Sequence, residues 1–299
     1  MRSGRMKEKI ERALEMLHSC SLCPRECGAD RLAGETGICG APADLTVSSY
    51  NDHHGEEPPI SGVRGSGTIF LTHCNLKCVF CQNYPISHLG NGERVSASRM
   101  AEMMLALQRR GCHNINFVTP THYMPRILES VKIAAAEGLN IPLVYNCGGY
   151  ESLEAVKLLE GVVDIYMPDI KYADEAPARE FSSAGDYFER ARAAIKEMYR
   201  QVGPLRIDDN GIATRGLIVR HLVLPCGLAG SEKALKFIAD ELSTDVFISV
   251  MEQYFPAFSA KKTSDISRKI TKEEYAEVVG IVERLGLHNG FIQGDPDIG

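Results

Sequence analysis

No run of about eighteen apolar residues occurs in the 299-residue chain, so the sequence offers no membrane-spanning helix. The opening stretch, MRSGRMKEKIERALEML, is charged and amphipathic and lacks the apolar core of a secretory signal. Positive charge is not in excess either. The 33 Lys and Arg stand against 39 Asp and Glu, a net charge of −6, which gives no electrostatic reason to expect nucleic acid or an anionic membrane as partner. A cytoplasmic address is the expectation. With 44% hydrophobic and 24% charged residues, the composition excludes a disordered or fibrous chain and fits a globular one of one large or two ordinary domains.

Cysteine, by contrast, is plentiful. In a reducing compartment, clustered cysteines point to metal or redox chemistry more than to disulfides. Seven of the ten fall in the first 81 residues, in two groups: Cys20, Cys23, Cys27 and Cys39, then Cys74, Cys78 and Cys81. Cys112, Cys147 and Cys226 are scattered.

The spacing predicts a helix over about 7–18, then a loop-rich module over 20–66 with little periodicity and many Gly, Pro, Asp and His. From residue 68 the pattern becomes alternating strands and helices. Expected strands are 68–73, 115–118, 142–146, 163–167, 216–224 and 246–250; expected helices are 96–110, 125–137, 151–160, 177–201, 230–242 and 271–285. Short apolar strands alternating with amphipathic helices specify an α/β fold with a covered parallel sheet. Six such units imply a doubly wound sheet or a partial (β/α)6 TIM-type barrel, here residues 67–299, with a small Cys-rich metal-binding extension over 1–66. Either architecture gathers its chemistry at the C-terminal strand ends.

The cysteine loop falls at such an end, directly after the first strand: His73-Cys74-Asn75-Leu76-Lys77-Cys78-Val79-Phe80-Cys81. Three thiolates within eight residues can fold around one cube of iron and sulfide. Lacking a fourth cysteine, such a site leaves one iron open to a substrate or cofactor. A zinc site fits this spacing less well, because zinc pairs usually come as C-x2–4-C with a distant second pair. Upstream, Cys20, Cys23, Cys27 and Cys39 make four further thiolates in a stretch too short and polar to fold on a core. A bound metal, zinc or an auxiliary iron–sulfur cluster, would supply the missing stability.

On these motifs the chain resembles the radical SAM superfamily, over most of its length. Three stretches, CSLCPRECGADRLAGETGICG (20–40), CNLKCVFCQNYPIS (74–87) and NINFVTPTHYMPRI (114–127), resemble the glycyl-radical-enzyme activating branch, in particular the PflX-type relatives of pyruvate formate-lyase activating enzyme. The resemblance implies an oxygen-sensitive [4Fe–4S] cluster on Cys74, Cys78 and Cys81, which act as catalytic and metal-ligating residues. It also implies reductive cleavage of S-adenosyl-L-methionine (SAM) to a 5′-deoxyadenosyl radical that abstracts hydrogen. A low-potential electron donor, flavodoxin or ferredoxin, and a protein substrate such as a glycyl radical enzyme are the implied partners. Radical modification of a small molecule or peptide is the alternative within catalysis; a non-catalytic iron–sulfur electron-transfer or sensor protein is the alternative outside it.

The resemblance further implies cofactor contacts at single positions. Phe80 takes the aromatic place near adenine, Asn146 the polar SAM contact, Asp169 and Lys171 the Asp-x-Lys of activating enzymes, Arg220 the methionyl carboxylate, and Gln253 the ribose. Asp169 and Lys171, two residues apart, share one face of an extended strand end. The family's Gly-Gly-Glu is absent after the second strand, where Val118-Thr119-Pro120-Thr121 stands instead. Thr119 and Thr121 are the expected hydroxyl or carbonyl acceptors for the SAM ammonium.

Overall fold

The computed structural model describes residues 3–292. In chain order the helices are α1 (Ser3–Glu15), α2 (Pro58–Ser61), α3 (Tyr84–Ser87), α4 (Ala97–Arg109), α5 (Met124–Ala136), α6 (Leu153–Leu158), α7 (Glu175–Ser182), α8 (Tyr187–Val202), α9 (Ser231–Glu241) and α10 (Lys272–Arg284). The strands are β1 (Leu45–His53), β2 (Ser66–Leu71), β3 (Glu93–Val95), β4 (Ile115–Val118), β5 (Leu143–Cys147), β6 (Ile165–Pro168), β7 (Arg206–Ile207), β8 (Ala213–Leu222), β9 (Phe247–Met251) and β10 (Gly290–Ile292).

Strands β2, β4, β5, β6, β8, β9 and β10 pair in that order, each parallel to the next. The neighbours follow the chain order and the two ends do not meet, so the sheet is the open, curved wall of a partial barrel. The six expected strand–helix units are present. Helices cover the outer side of the central strands, while Val144, Ile165, Met167, Ala213 and Ile218 form a separate apolar cluster with Ile60 of α2. The inner positions of the strands alternate with those outer ones, as a two-residue period requires. Helix ends follow local chemistry: Ser96 accepts from the Arg99 N–H at 3.1 Å, and Thr271 and Glu274 form a reciprocal cap on α10.

Besides short elements that were not expected (α2, α3, β3, β7 and β10), two larger ones depart from the sequence expectation. The module over 20–66 contains the nine-residue strand β1, antiparallel to both β2 and β3. Its run Leu45–His53 is buried at Leu45, Thr46 and Val47 and then alternates toward solvent, a half-solvated antiparallel pattern masked by polar neighbours. The single helix expected over 177–201 is two, α7 and α8, because Ser183 adopts a left-handed φ of 49° and closes α7.

Met6, Ile10, Ala13 and Leu17 make one face of α1 and the turn after it. They share a continuous core with Leu71, Leu76 and Phe80 beneath the cysteine loop. Lys9 Nζ fastens this end by donating to the carbonyls of Leu158 (2.8 Å) and Glu160 (2.9 Å). Among the described residues no helix is long and apolar enough to cross a membrane.

Candidate active site

The chain leaves β2 through a tight coil in which His73 (φ 65°) and Lys77 (φ 54°) are left-handed. That conformation is costly for residues with a Cβ and persists only where the surroundings enforce it. Here Asn75, 2% exposed, donates from Nδ2 to the Tyr150 carbonyl at 2.6 Å, pinning the coil to the loop after β5. Leu76 packs against Gly148, where an added Cβ would lie 2.7 Å from Leu76 Cδ1. At Gly149 (φ 78°) a Cβ would lie 2.3 Å from the Asp169 carbonyl oxygen, so only glycine fits there.

The coil aims Cys74, Cys78 and Cys81 into one cavity of ≈ 270 Å³ at the C-terminal strand ends. The cavity is also lined by Phe80, Thr119, Asn146, Asp169, Lys171, Arg220 and Gln253, each from a different loop or strand end except for the Asp169–Lys171 pair. Each sulfur has a polar neighbour: Leu76 N–H at 3.4 Å from Cys74 Sγ, Ser182 Oγ at 2.9 Å from Cys78 Sγ, and Ser87 Oγ at 3.1 Å from Cys81 Sγ. Burial pushes the Cys74 thiol up to about 12 and raises Cys78 as well, against the pull of the Lys171 ammonium. Thiols so desolvated ionise only against a strong positive partner, which is what iron provides. Cys147 also lines the cavity, but its thiol is hydrogen-bonded with the Glu151 carboxyl, which leaves Cys74, Cys78 and Cys81 as the three sulfurs for a centre there. Donor type, number and convergence fit an open-site [4Fe–4S] cluster.

The charged side chains form a connected quartet. Asp169 Oδ2 meets Lys171 Nζ at 2.5 Å, and Asp169 Oδ1 meets Arg220 Nε at 2.8 Å. Arg220 Nη2 donates to Asn146 Oδ1 at 2.7 Å, and Nη1 lies 3.3 Å from Glu56 Oε2. Burial works to raise Asp169, but the two cations more than offset it and hold the carboxyl below the usual range; Lys171 and Arg220 are raised against burial, chiefly by Asp169. Glu56 is the residue that sequence reasoning missed. It precedes α2, enters the barrel from the opposite end and also accepts from Asn116 Nδ2 at 3.1 Å. Its neighbours GEEPP read as loop, and only the fold carries it under Arg220.

Other expected contacts are distributed as follows. Thr119 lines the cavity with a left-handed φ of 59°, its N–H bonded to the Asn146 carbonyl at 2.9 Å. Thr121 does not: its hydroxyl, 1% exposed, donates to Glu151 Oε1 at 2.6 Å behind the sheet edge, because the short helical turn after Pro120 rotates it outward. Phe80 sits edge-on against Tyr172 and Tyr254, with centroids 6.2 and 5.7 Å away. Gln253 is exposed, and its carbonyl accepts from Gln82 Nε2 at 3.0 Å.

The four upstream cysteines gather directly behind the cysteine loop. Cys20, Cys23 and Cys39 are buried and Cys27 half-buried; Cys20 feels Cys27, and Cys23 feels both Cys39 and Cys20. A Cβ on Gly37 would lie 2.3 Å from Cys27 Sγ, so the sulfur occupies a space that only glycine leaves. Among the described residues no three His, Cys, Asp or Glu are gathered as tightly as a single metal ion requires, in this set or in the cysteine loop. Arg25, between Cys23 and Cys27, crosses to the loop. Its guanidinium donates to the carbonyls of Asn75 (2.9 Å), Leu76 (3.4 Å), Ser182 (2.6 Å) and Ser183.

Residues 68–204 match the family model of the radical SAM superfamily. The uncharacterized protein MJ0674 of Methanocaldococcus jannaschii is 32% identical over 289 residues, 93% of this chain and 78% of that protein. Among solved structures, a radical SAM methyltransferase from Sphaerobacter thermophilus superposes with a TM-score of 0.51 at 14% identity, over 94% of this chain and 88% of that one. HydG, a maturase of the [FeFe]-hydrogenase, matches with a TM-score of 0.47 at 12% identity, over 96% of this chain and 62% of that one. The methyltransferase likeness carries the fold alone.

Proposed function

The chain belongs to the radical SAM superfamily, and from that premise we propose that it abstracts hydrogen from a glycyl residue of a partner protein, in the manner of a glycyl-radical-enzyme activator. Cys74, Cys78 and Cys81 would hold the [4Fe–4S] cluster. When bound, the cluster and SAM together supply a one-electron reductive cleavage and a 5′-deoxyadenosyl radical.

The chain's own residues do the rest. Arg220 and Lys171 offer the cationic donors that suit the methionyl carboxylate, while Asp169 holds both in place. Thr119 and Asn146 present oxygen acceptors toward an ammonium. The buried coil and Leu76 keep water from the strand ends. The carrying observation is the convergence of three thiols and the Asp169–Lys171–Arg220 trio on one cavity. A simple electron-transfer or sensor protein has no use for that charge arrangement. The four upstream cysteines would hold a second metal group, zinc or an auxiliary cluster, fastened to the catalytic loop by Arg25.

Anaerobically reconstituted protein with dithionite should convert SAM to 5′-deoxyadenosine, and Cys78→Ala should abolish that conversion without loss of helical circular dichroism. Wild-type protein that binds its iron yet forms no deoxyadenosine would falsify the catalytic reading. The glycyl part is tested separately: deuterium should pass from an α-deuterated glycyl peptide into deoxyadenosine, and deoxyadenosine formed without any label removes glycine as the hydrogen source.

A further inference from the structure

SAM cleavage consumes one electron per turnover, and that electron has to reach the cysteine loop from outside. The loop comes near the surface at its C-terminal edge. Cys81 is half-buried, and Gln82, Asn83 and Tyr84 after it are exposed. A single segment, residues 252–270, covers that edge. The Ser259 N–H donates to the Val79 carbonyl at 3.0 Å, and Gln82 Nε2 reaches the Gln253 carbonyl. Phe258, 39% exposed, stacks on Tyr84 at 5.1 Å and leans on His88 at 4.5 Å; His88 in turn bonds the Cys78 carbonyl at 3.1 Å. Phe255 is 43% exposed on the same segment. Large exposed aromatics grouped over a catalytic loop mark a contact surface more than a solvated one.

The charge of this face is opposite to that of the protein. Over the segment 252–270, Lys261, Lys262, Arg268 and Lys269 stand against Glu252 and Asp265, a local charge of +2 in a chain of −6. Arg268 is taken by Glu274. Lys261 and Lys262, exposed and directly after Ser259, have no ion-pair partner among the described residues, and neither has Lys77 on the loop itself, whose charge is felt by His88.

We propose that the face formed by Tyr84, Phe258, Lys77, Lys261 and Lys262 is the docking surface for an acidic electron-transfer protein that delivers one electron at a time to the cysteine loop. The donor is oxidised by one electron and the loop's metal centre reduced by one; no bond to this chain is made or broken. The inference rests on the radical SAM reading for the need for an electron, and on this surface alone for the place. Opposite charge steers such an encounter, and exposed rings anchor it.

The test titrates reconstituted protein with a strongly acidic flavodoxin and, separately, a strongly acidic ferredoxin, by calorimetry at low and high salt. Binding of either donor is expected to weaken as salt rises, and Lys261→Glu with Lys262→Glu should weaken it by about tenfold or more. Phe258→Ser should weaken it less and without altering the salt dependence. Dithionite-driven deoxyadenosine formation should be equal in the wild type and all variants. Unchanged affinity in the charge-reversed variant overturns the proposal, as does binding of neither donor, or of a single-stranded oligonucleotide in their place. If dithionite yields no deoxyadenosine in any form, the catalytic reading falls, while the binding result still decides the surface.

Discussion

The two cysteine groups share a residue type and lie back to back, yet they sit in different physical surroundings. Cys74, Cys78 and Cys81 open onto a cavity whose far wall carries the Asp169, Lys171 and Arg220 charges, and their coil includes the left-handed His73 and Lys77. Cys20 and Cys39 are set into the apolar core beside Leu17, Leu22 and Ala41, Cys23 is buried with them, and Arg31 Nη1 lies 3.9 Å from Cys20 Sγ. Arg31 is 1% exposed and spends its donors on the carbonyls of His122 (2.6 Å) and Pro42 (2.5 Å). One group is arranged to meet a ligand, the other to hold chain together. Identical side chains acquire different chemistry from what faces them.

The sharpest break of that comparison is a metal count. A variant with Cys74→Ala, Cys78→Ala and Cys81→Ala should lose all SAM cleavage and its cluster iron yet keep the upstream metal, measured by inductively coupled plasma mass spectrometry. Zinc or iron in that variant tells the two candidates apart, and no metal at all would make the upstream group plain buried thiols. Next in size is Arg220→Met, which leaves Glu56 without its cation and Asp169 with half its support. Breaking a buried pair from one side costs about 3–5 kcal/mol, readable as a shift in urea unfolding at pH 7.

A third prediction concerns Glu151, which lies between the groups: it receives Thr121 and Tyr145 hydroxyls and is felt by Cys23. Burial raises its carboxyl to about 7, against the pull of those donors. The folded state therefore holds a proton that the unfolded chain, titrating near its ordinary 4.5, has released. Stability from this group is complete below about pH 4.5 and declines as pH rises toward 7, by about 3 kcal/mol in all. Glu151→Gln should flatten that slope in unfolding measured from pH 4.5 to 8; an unchanged slope would assign it elsewhere. The smallest effect is expected upstream. Arg31→Met strands two carbonyls, about 1–3 kcal/mol by thermal unfolding, with SAM cleavage by dithionite retained.

Much of this was legible in the chain. The six strand–helix units showed through because their strands are short apolar runs and their helices carry one buried stripe; α4, α5, α9 and α10 fall within two residues of expectation at each end. The cysteine loop showed because three ligands of one centre lie close together in sequence. β1 did not, since an antiparallel strand with one wet face looks like a polar loop. The break between α7 and α8 did not either, because Ser183 carries no signal for a left-handed turn. Thr121 and Thr119 looked equivalent two residues apart, until the turn after Pro120 sent one into the cavity and the other to Glu151.

The sequence by itself determined the α/β class, the place of the cysteine loop at a strand end, and which residue types could serve there. Those properties are local, written in periodicity and short spacing. Tertiary structure alone decided that Glu56, 164 positions before Arg220, would lie beneath it, and that Arg25 would lock one cysteine group onto the other. It also brought Phe258 and Lys261 over the edge of a loop coded nearly two hundred residues earlier. Such contacts come from sheet order and curvature, and no window of sequence contains both partners.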